Sequence, residues 1–311
     1  MTPLYLITPY SNLVRSSTRR RLFGEFAERI RGTPGVTLVV VELTHGSRPF
    51  EVTRPGNPLH VQLHSSEELW QKEAMLNVAI ARLPHGAKYV AWVDADVAFS
   101  RPDWAAETVH QLQHYAVVQM FSHAQDLGPA YEPMQLHAGF VYNYRTHGLA
   151  VEWRGPCPDE VGNRAGGHPG YAWAARLDAL DAIGGLLDYA VLGSADNHMA
   201  HAMVGLMEDT LYDGITPGYR DDLLRWQARC AEAARGLVGY VPGTILHYWH
   251  GKKSSRGYHW RWRILQECGF DPRVDLRRDT QGLLRLDPSR TELRDRIMGY
   301  MRSRNEDGTD V

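Results

Sequence analysis

Two aspartates separated by one residue follow a strongly apolar segment in the first third of the chain. Asp94 and Asp96 end the run YVAWVDAD, whose apolar residues predict a buried strand. Residues two apart on a strand share a face, so both carboxylates can point the same way. Paired carboxylates suit a hard cation such as Mg²⁺ or Mn²⁺, which also binds diphosphate. The pair predicts a metal-diphosphate site, with a solvated strand-end turn as the alternative.

A third carboxylate, Asp196, stands in the first turn of a predicted helix that follows Ser194. A carboxylate fixed beside a hydroxyl group can take its proton as the oxygen attacks an electrophile. The alternative is an acidic residue that only stabilises the helix through its dipole.

Histidines and cations cluster late in the chain, in TILHYWHGKKSSR. His247 and His250 are candidate metal ligands or core histidines. Lys252, Lys253 and Arg256 can neutralise a leaving diphosphate or form a solvated basic loop.

A second histidine pair, His198 and His201, lies three residues apart on the helix that contains Asp196. With a carboxylate, such a pair can bind zinc, which keeps a metallohydrolase as an alternative. The motif HExxH is absent from the sequence.

The elements that must position these residues alternate between strand and helix. Apolar runs and helical spacing predict strands at residues 4–8, 36–43 and 88–93, separated by helices at 16–31 and 67–83. Strand, helix, strand, helix, strand is the doubly wound α/β pattern, which binds ligands at the carboxyl ends of its strands.

The rest of the chain continues this theme less regularly. A Gly- and Pro-rich loop is predicted over residues 155–170. The further predictions are strands at 115–121, 137–142 and 171–176 and helices at 102–113, 178–183, 195–207, 221–235, 257–268 and 289–304.

With these motifs in place, the sequence resembles the GT-A glycosyltransferases, family 2-like and DxD-containing. In that family the DxD motif follows a strand and bridges ribose and metal-bound diphosphate. The segment HPGYAWAARLDALDAIGGLLDYAVLGSADNHM looks like the family's second signature, in which many inverting members have Glu-Asp. Here the run is Ser194-Ala195-Asp196, so only Asp196 inherits the role of base and the acceptor contact of the glutamate is missing.

The resemblance implies a mixed, mainly parallel GT-A sheet flanked by helices over residues 1–250 and a basic helical extension over 251–311. It implies a hexosyltransferase-like enzyme that uses a UDP-sugar and Mn²⁺ or Mg²⁺. By position, the expected nucleotide-binding residues are Thr8, Pro9, Tyr10, Glu42, Lys72, Asn77, Asp94, Ala95 and Asp96. The expected metal ligands are Asp96 and His247. The donor phosphates are assigned to His250, Lys252, Lys253 and Arg256, and the acceptor or sugar pocket to Gly170 and Trp173.

Composition limits the remaining classes. The 311 residues carry a formal net charge of -2 and contain no apolar run long enough for a membrane span, and three separated cysteines give no disulfide or zinc pattern. We therefore expect a protein of a reducing cytoplasm. A nucleotidyltransferase is a weaker alternative because residues 7–17 lack the glycines of a phosphate loop.

The carboxyl-terminal region is basic, with fourteen Lys and Arg against seven Asp and Glu between His247 and Arg304. Its ending resembles a set of GT-A-like proteins often carried by bacteriophages and bacteria. Aromatics interleaved with arginines over residues 258–263 can stack bases, so a modified base in phage DNA is one possible acceptor and a glycan another. A non-enzymatic nucleic-acid-binding protein is the alternative, and packing of Trp260 and Trp262 on the main domain is the simpler explanation.

Overall fold

The computed structural model describes residues 2–148, 167–258 and 260–309. Of the predicted loop over residues 155–170, only residues 167–170 are among those described. The central sheet of the described residues consists of β1 (Leu4–Ser11), β2 (Val36–His45), β3 (His60–Ser65), β4 (Tyr89–Val93), β6 (Val117–Gln119), β9 (Ala172–Arg176) and β10 (Val238–Tyr240). A second sheet consists of β5 (Val97–Phe99), β7 (His123–Leu127), β8 (Pro133–Ala138) and β11 (Thr244–His247).

The helices of the described residues flank these sheets. They are α1 (Ser17–Arg31), α2 (Lys72–Ile80), α3 (Trp104–Gln111), α4 (Phe140–His147), α5 (Leu177–Ile183), α6 (Ala195–Met203), α7 (Pro217–Ala234), α8 (Trp262–Glu267), α9 (Pro272–Asp275) and α10 (Thr291–Ser303). Two 3₁₀ helices lie at Met207–Thr210 and Lys253–Arg256, and a hairpin is formed by β12 (Leu276–Arg278) and β13 (Leu284–Leu286).

The central sheet is mainly parallel. Its order is β10-β6-β9-β4-β1-β2-β3, with β1 paired in parallel to both β2 and β4. Among the seven strands of this sheet, only β9 is antiparallel to its neighbours, β4 and β6. This strand order confirms the predicted mixed, mainly parallel α/β architecture. The architecture is stable because apolar strands covered by helices bury their backbone polar groups within the sheet.

The second sheet connects the end of β4 to residues far along the chain. β5 begins directly after the Asp94-Ala95-Asp96 turn and pairs antiparallel with β11, with Val97 opposite His247. β11 also pairs in parallel with β7, and His247 lies opposite Asp126. This register brings a late histidine beside the acidic turn.

Helix α1 begins where its sequence predicts. The Ser16 side chain accepts a hydrogen bond from the Arg19 backbone N–H at 3.1 Å, and Gly32 is the carboxyl-terminal cap. Leu22, Phe26 and the other apolar residues of one face are buried. Local capping and periodicity therefore determine this helix.

Several elements differ from the prediction, and two of them lie close to the central sheet. The expected strand over residues 137–142 is wrong, because β8 ends at Ala138 and α4 begins at Phe140. The amide oxygen of Gln119 accepts a hydrogen bond from the Val141 N–H at 3.0 Å, which satisfies one donor at the start of α4. Strand β3 was not predicted, since HVQLHS mixes polar residues with only two aliphatic ones.

The residues after 250 include the β12–β13 hairpin as well as helices, and they pack on the first half of the chain. Leu283, Leu284 and Leu286 belong to the same buried cluster as residues of α2. The Gln71 side chain donates to the Leu284 carbonyl at 2.7 Å and accepts from its N–H at 3.0 Å. The division at residue 250 stays a prediction. None of the helices in the described ranges has the length and apolarity to cross a bilayer.

Candidate functional site

A large cavity of about 1010 Å³ opens at the carboxyl ends of β1 and β4. Eleven of the residues predicted from the sequence lie on its wall: Pro9, Tyr10, Lys72, Asp94, Ala95, Asp96, Gly170, Asp196, His247, His250 and Arg256. They come from β1, α2, the turn after β4, the segment before β9, α6, the end of β11 and the segment that follows it. Ligands of open α/β sheets bind at this edge, because the strands end there and leave a crevice.

Asp96, His247 and His250 form a compact group at one end of the cavity. One ligand atom of each lies within 4.8 Å of the others, the only such group of three that the described residues contain. Asp96 Oδ2 is 3.0 Å from His250 Nε2, and the Nε2 atoms of the two histidines are 3.3 Å apart. Asp96 Oδ1 is buried and has no hydrogen-bond partner among the described residues. A carboxylate and two imidazoles with an unsatisfied oxygen suit a divalent cation such as Mn²⁺.

The charge states of this group fit the same purpose. Burial and the neighbouring Arg256 lower the pKa of His250 to about 4, although Asp96 opposes the shift. Burial alone would raise the pKa of Asp96, but His250, His247 and Arg256 bring it well below its usual range. At neutral pH the group offers a neutral imidazole and an ionised carboxylate, the forms that bind metals.

Asp126 on β7 holds His247 in place. Its carboxylate lies 2.8 Å from His247 Nδ1 and also contacts His137 and Lys253. The Tyr171 hydroxyl donates to the same carboxylate at 3.2 Å. A carboxylate on the far nitrogen directs the other nitrogen, Nε2, towards the cavity, as in carboxylate–histidine–metal arrangements. Asp126 carries no motif spacing, so sequence reasoning missed it.

The other aspartate of the pair, Asp94, contacts a cation from α2. Lys72 forms an ion pair with Asp94 inside the cavity. Burial raises the pKa of Asp94, and Lys72 opposes that rise. The next residue, Glu73, is buried, and its pKa is raised to about 8 by burial, with Lys72 opposing and Asp196 adding to the rise. Glu73 was not predicted from the sequence.

Asp196 faces the cavity from the first turn of α6, close to Gly170. A Cβ added at Gly170 would lie 2.7 Å from Asp196 Oδ2 and 3.0 Å from His168 Cε1. Only a residue without a side chain fits there unless its neighbours move. Gly170 therefore gives the Asp196 carboxylate its space.

Six predicted residues do not line the cavity. The Glu42 carboxylate accepts the Thr53 N–H and hydroxyl, both at 2.7 Å, so Glu42 holds the loop at Thr53. The Asn77 side chain is bound to the Leu186 backbone, at 2.8 Å to its N–H and 2.9 Å to its carbonyl. Internal polar groups satisfy both side chains, and their expected nucleotide contacts stay predictions.

The other four also differ from expectation. Thr8 is fully buried in β1, and Trp173 is buried on β9, where its indole donates to the Pro169 carbonyl at 2.8 Å. Lys253 contacts Asp126, and Lys252 does not lie on the cavity wall. Trp173 and Thr8 lie in the interior, whereas Tyr171, which precedes β9, lies on the cavity wall.

The histidines proposed for zinc serve the packing of α6. His198 is fully buried and its Nδ1 lies 2.7 Å from the Thr210 hydroxyl. His201 Nδ1 is 2.9 Å from the Asn197 carbonyl. Burial lowers the pKa of His198 to about 3. Neither joins a three-residue metal group in the described part of the chain.

Another part of the cavity wall has a different character. It includes the acidic residues Glu208, Asp209 and Asp213, together with Tyr212 and Trp262. The Tyr212 and Trp262 rings pack 5.2 Å apart. Trp260, in contrast, is 45% exposed. Sequence reasoning missed these acids because they lie in and after the 3₁₀ helix Met207–Thr210, without a recognisable motif.

Comparisons with known proteins found no matching family model and no similar curated protein. Among solved structures, the chain is similar to the mannosyltransferase PcManGT from Pyrobaculum calidifontis in complex with GDP-Man and Mn²⁺, at 16% identity over 86% of this chain and 62% of that one, with a TM-score of 0.41. It is similar to the catalytic domain of Drosophila β1,4-galactosyltransferase 7 in complex with xylobiose, at 11% identity over 64% and 60% of the chains, with a TM-score of 0.33. It is also similar to S. aureus TarS, at 11% identity over 85% and 40%, with a TM-score of 0.41. This chain thus spans less than two thirds of each of these proteins, and the TM-scores are low, so the description of fold and site rests on its own topology and geometry.

Proposed function

We propose that this protein is a GT-A-type glycosyltransferase that moves a sugar from a nucleoside diphosphate sugar to an acceptor hydroxyl. One observation carries the proposal: the group Asp96, His247 and His250 shares a cavity with the carboxylate of Asp196. The group of Asp96, His247 and His250 can hold a divalent cation, Mn²⁺ or Mg²⁺, and the Asp196 carboxylate can accept a proton. These are the two requirements for diphosphate departure and hydroxyl attack.

The donor lies at the metal end in this proposal. A divalent cation bound by Asp96, His247 and His250 would neutralise the charge that develops on the leaving diphosphate. Arg256, which lines the same wall, adds fixed positive charge beside His250 at 3.0 Å. Pro9 and Tyr10 at the end of β1 form the wall for the base, and UDP is the expected nucleotide.

Asp196 acts as the base in the proposed reaction. The acceptor O–H proton passes to the Asp196 carboxylate as the acceptor oxygen bonds to the anomeric carbon. The bond from that carbon to the diphosphate oxygen breaks, and the nucleoside diphosphate leaves with the electron pair. Attack from the face opposite the leaving group inverts the anomeric configuration, so a product with retained configuration contradicts this role of Asp196.

The acceptor end favours a glycan over DNA. Glu208, Asp209 and Asp213 line that end and would repel a phosphate backbone, whereas Tyr212 and Trp262 offer flat surfaces for sugar rings. A hydroxylated base in phage DNA is the second candidate, supported by the exposed Trp260 near Arg263. An acceptor screen with oligosaccharides and with hydroxymethylated DNA separates the two, and a cytoplasmic or host-cytoplasmic setting fits either.

The test is calorimetric titration of UDP, GDP and their sugar conjugates, with Mn²⁺ and again with a chelator. We expect one nucleotide to bind only with the metal, and Asp96→Asn to weaken that binding at least about tenfold, since a ligand is lost. The control is Asp103→Asn, which removes an exposed carboxylate. Unchanged binding in Asp96→Asn contradicts the metal assignment.

Three other outcomes would favour the alternative functions. Binding of nucleic acid without metal or turnover would favour the non-enzymatic protein, and zinc in the purified protein would favour the hydrolase. Release of pyrophosphate from a nucleoside triphosphate would favour the nucleotidyltransferase.

A further inference from the structure

The last described residues, 304–309, fold back over the metal end of the cavity and form what we call the C-terminal strap. The Trp249 indole donates to the Gly308 carbonyl at 2.7 Å. Gly251 packs directly against the strap, since a Cβ added at Gly251 would be 2.1 Å from the Asn305 carbonyl oxygen. The Asp307 carboxylate accepts the Thr18 N–H at 2.8 Å at the start of α1. The strap therefore connects α1 to the segment that contains His250.

The strap places a carboxylate inside the cavity. Glu306 is only 7% exposed and lies on the cavity wall. Its two oxygens accept hydrogen bonds from Arg19, at 2.7 Å from Nε and 2.6 Å from Nη2. Arg304 Nη2 lies 3.2 Å from the same carboxylate. Glu306 is thus bound as an anionic ligand would be, by a bidentate guanidinium and a second arginine.

Glu306 is ionised in this position. Burial alone would raise its pKa, but Arg19 and Arg304 lower the pKa of Glu306 to about 2. The interaction is between full charges at neutral pH, so an anion that replaces Glu306 must offer equal or greater negative charge.

The same wall has more donors than Glu306 can satisfy. Arg304 Nε and Arg256 Nε are buried and have no hydrogen-bond partner among the described residues. Both arginines line the cavity. Unpaired buried N–H groups are costly, so the wall is matched to an anion with more oxygens than one carboxylate.

This anion site adjoins the candidate metal group. Arg256 Nη2 lies 3.0 Å from His250 Nε2, and Arg19 and Glu306 line the same cavity as Asp96. A diphosphate held beside Asp96, His247 and His250 would therefore meet the cationic groups that now bind Glu306.

We propose that Glu306 is an internal anion that occupies part of the donor-phosphate site, and that the donor's diphosphate displaces it and takes over Arg19 and Arg304. The inference rests on the proposed function, since it presupposes a diphosphate ligand. The strap is then a competing ligand within the chain. The apparent affinity for donor is reduced by the fraction of molecules in which Glu306 occupies the site.

The test is titration of UDP, GDP and inorganic pyrophosphate, each with Mn²⁺, into the full chain and into Glu306→Gln. Because glutamine keeps the shape but loses the charge, we expect the dissociation constant of Glu306→Gln to fall about three- to tenfold. Glu292→Gln, which changes an exposed carboxylate on α10, is the matched control and should bind as the natural chain does. Arg19→Gln should bind about tenfold more weakly, since it removes a phosphate ligand.

A second measurement is made on the natural chain, so that it does not depend on correct folding of the strap in Glu306→Gln. In the natural chain, hydrogen exchange of the backbone amides of residues 305–309 should accelerate when UDP and Mn²⁺ displace Glu306. Slower or unchanged exchange of these amides, or weaker or unchanged binding by Glu306→Gln, overturns the inference, while metal-dependent binding by the natural chain upholds the proposed function. If neither chain binds any of the three ligands, both proposals fall, and binding by Glu306→Gln alone supports strong competition by the strap.

Discussion

Asp196 is the residue whose chemistry the proposed reaction needs most. It lines the cavity from the first turn of α6, and its Oδ2 lies where any side chain at residue 170 would collide with it. Nearby, burial raises the pKa of Glu73 to about 8. Two carboxyl groups with different environments can separate the tasks of proton acceptor and neutral hydrogen-bond donor.

Replacement of the base tests this assignment. Asp196→Asn should lower kcat about 10²- to 10⁴-fold, because the amide cannot take the acceptor proton. Nucleotide binding with Mn²⁺ should stay within about twofold of the natural value, since the metal group is unchanged. Steady-state kinetics and calorimetry measure the two effects, with the exposed Asp178→Asn as the control. A variant with full turnover would show that another group is the base.

Asp126 illustrates a different residue-scale effect. Asp126 is not one of the three candidate metal ligands. Its carboxylate lies 2.8 Å from Nδ1 of His247, and this contact sets which nitrogen of the imidazole faces the metal group. Such positioning residues are invisible to motif analysis, because an isolated aspartate in HAQDL has no characteristic spacing.

At the scale of elements, the short segment from Gly167 to Tyr171 contacts both the acidic turn and the candidate base. It leads into β9, and the Tyr171 backbone carbonyl accepts the Asp94 N–H at 2.9 Å. The His168 and Tyr171 rings stack with centroids 3.8 Å apart. The segment thus connects the acidic turn after β4 to the space in front of Asp196.

A methyl group in this segment should misplace the base. In Gly170→Ala the new Cβ would meet Asp196 Oδ2 at 2.7 Å, so the carboxylate must move. We expect kcat to fall at least about tenfold with nucleotide affinity unchanged, since small displacements of a catalytic group have large kinetic effects. The control is Gly24→Ala on α1, where no atom lies within 4 Å, which should keep activity and raise stability by up to about 1 kcal/mol. Equal activity of the two variants would contradict the close approach.

At the scale of the whole molecule, residues far apart in sequence form one core. The hairpin residues Leu284 and Leu286 are buried with residues of α2, and Arg302 on α10 forms an ion pair with Glu68. The basic excess of the carboxyl-terminal region is partly neutralised by such pairs across the molecule. This explains part of the positive charge without an anionic partner.

Loss of one buried contact tests how tightly the two parts are coupled. Gln71→Ala leaves both the N–H and the carbonyl of Leu284 without their side-chain partner, so the free energy of unfolding should fall by about 1–3 kcal/mol. Urea unfolding followed by tryptophan fluorescence and by circular dichroism should give one coincident transition. Gln113→Ala, at an exposed side chain, should change stability little. Two separate transitions would show instead that the region after residue 250 unfolds independently.

The sequence by itself determined the alternation of strands and helices, the start of α1 next to its cap Ser16 and the position of Asp94 and Asp96 at the end of a buried strand. These features are local, because capping and hydrophobic periodicity are properties of neighbouring residues. Only the tertiary structure decided which side chains meet. His247 lies 121 residues after Asp126 and reaches it through the pairing of β11 with β7. Glu42 is satisfied by a loop, and Glu306 binds an arginine 287 residues away. Strand register and long-range packing depend on the whole chain, which is why the group at Asp96 and its arginine-bound carboxylate could not be assembled from spacing alone.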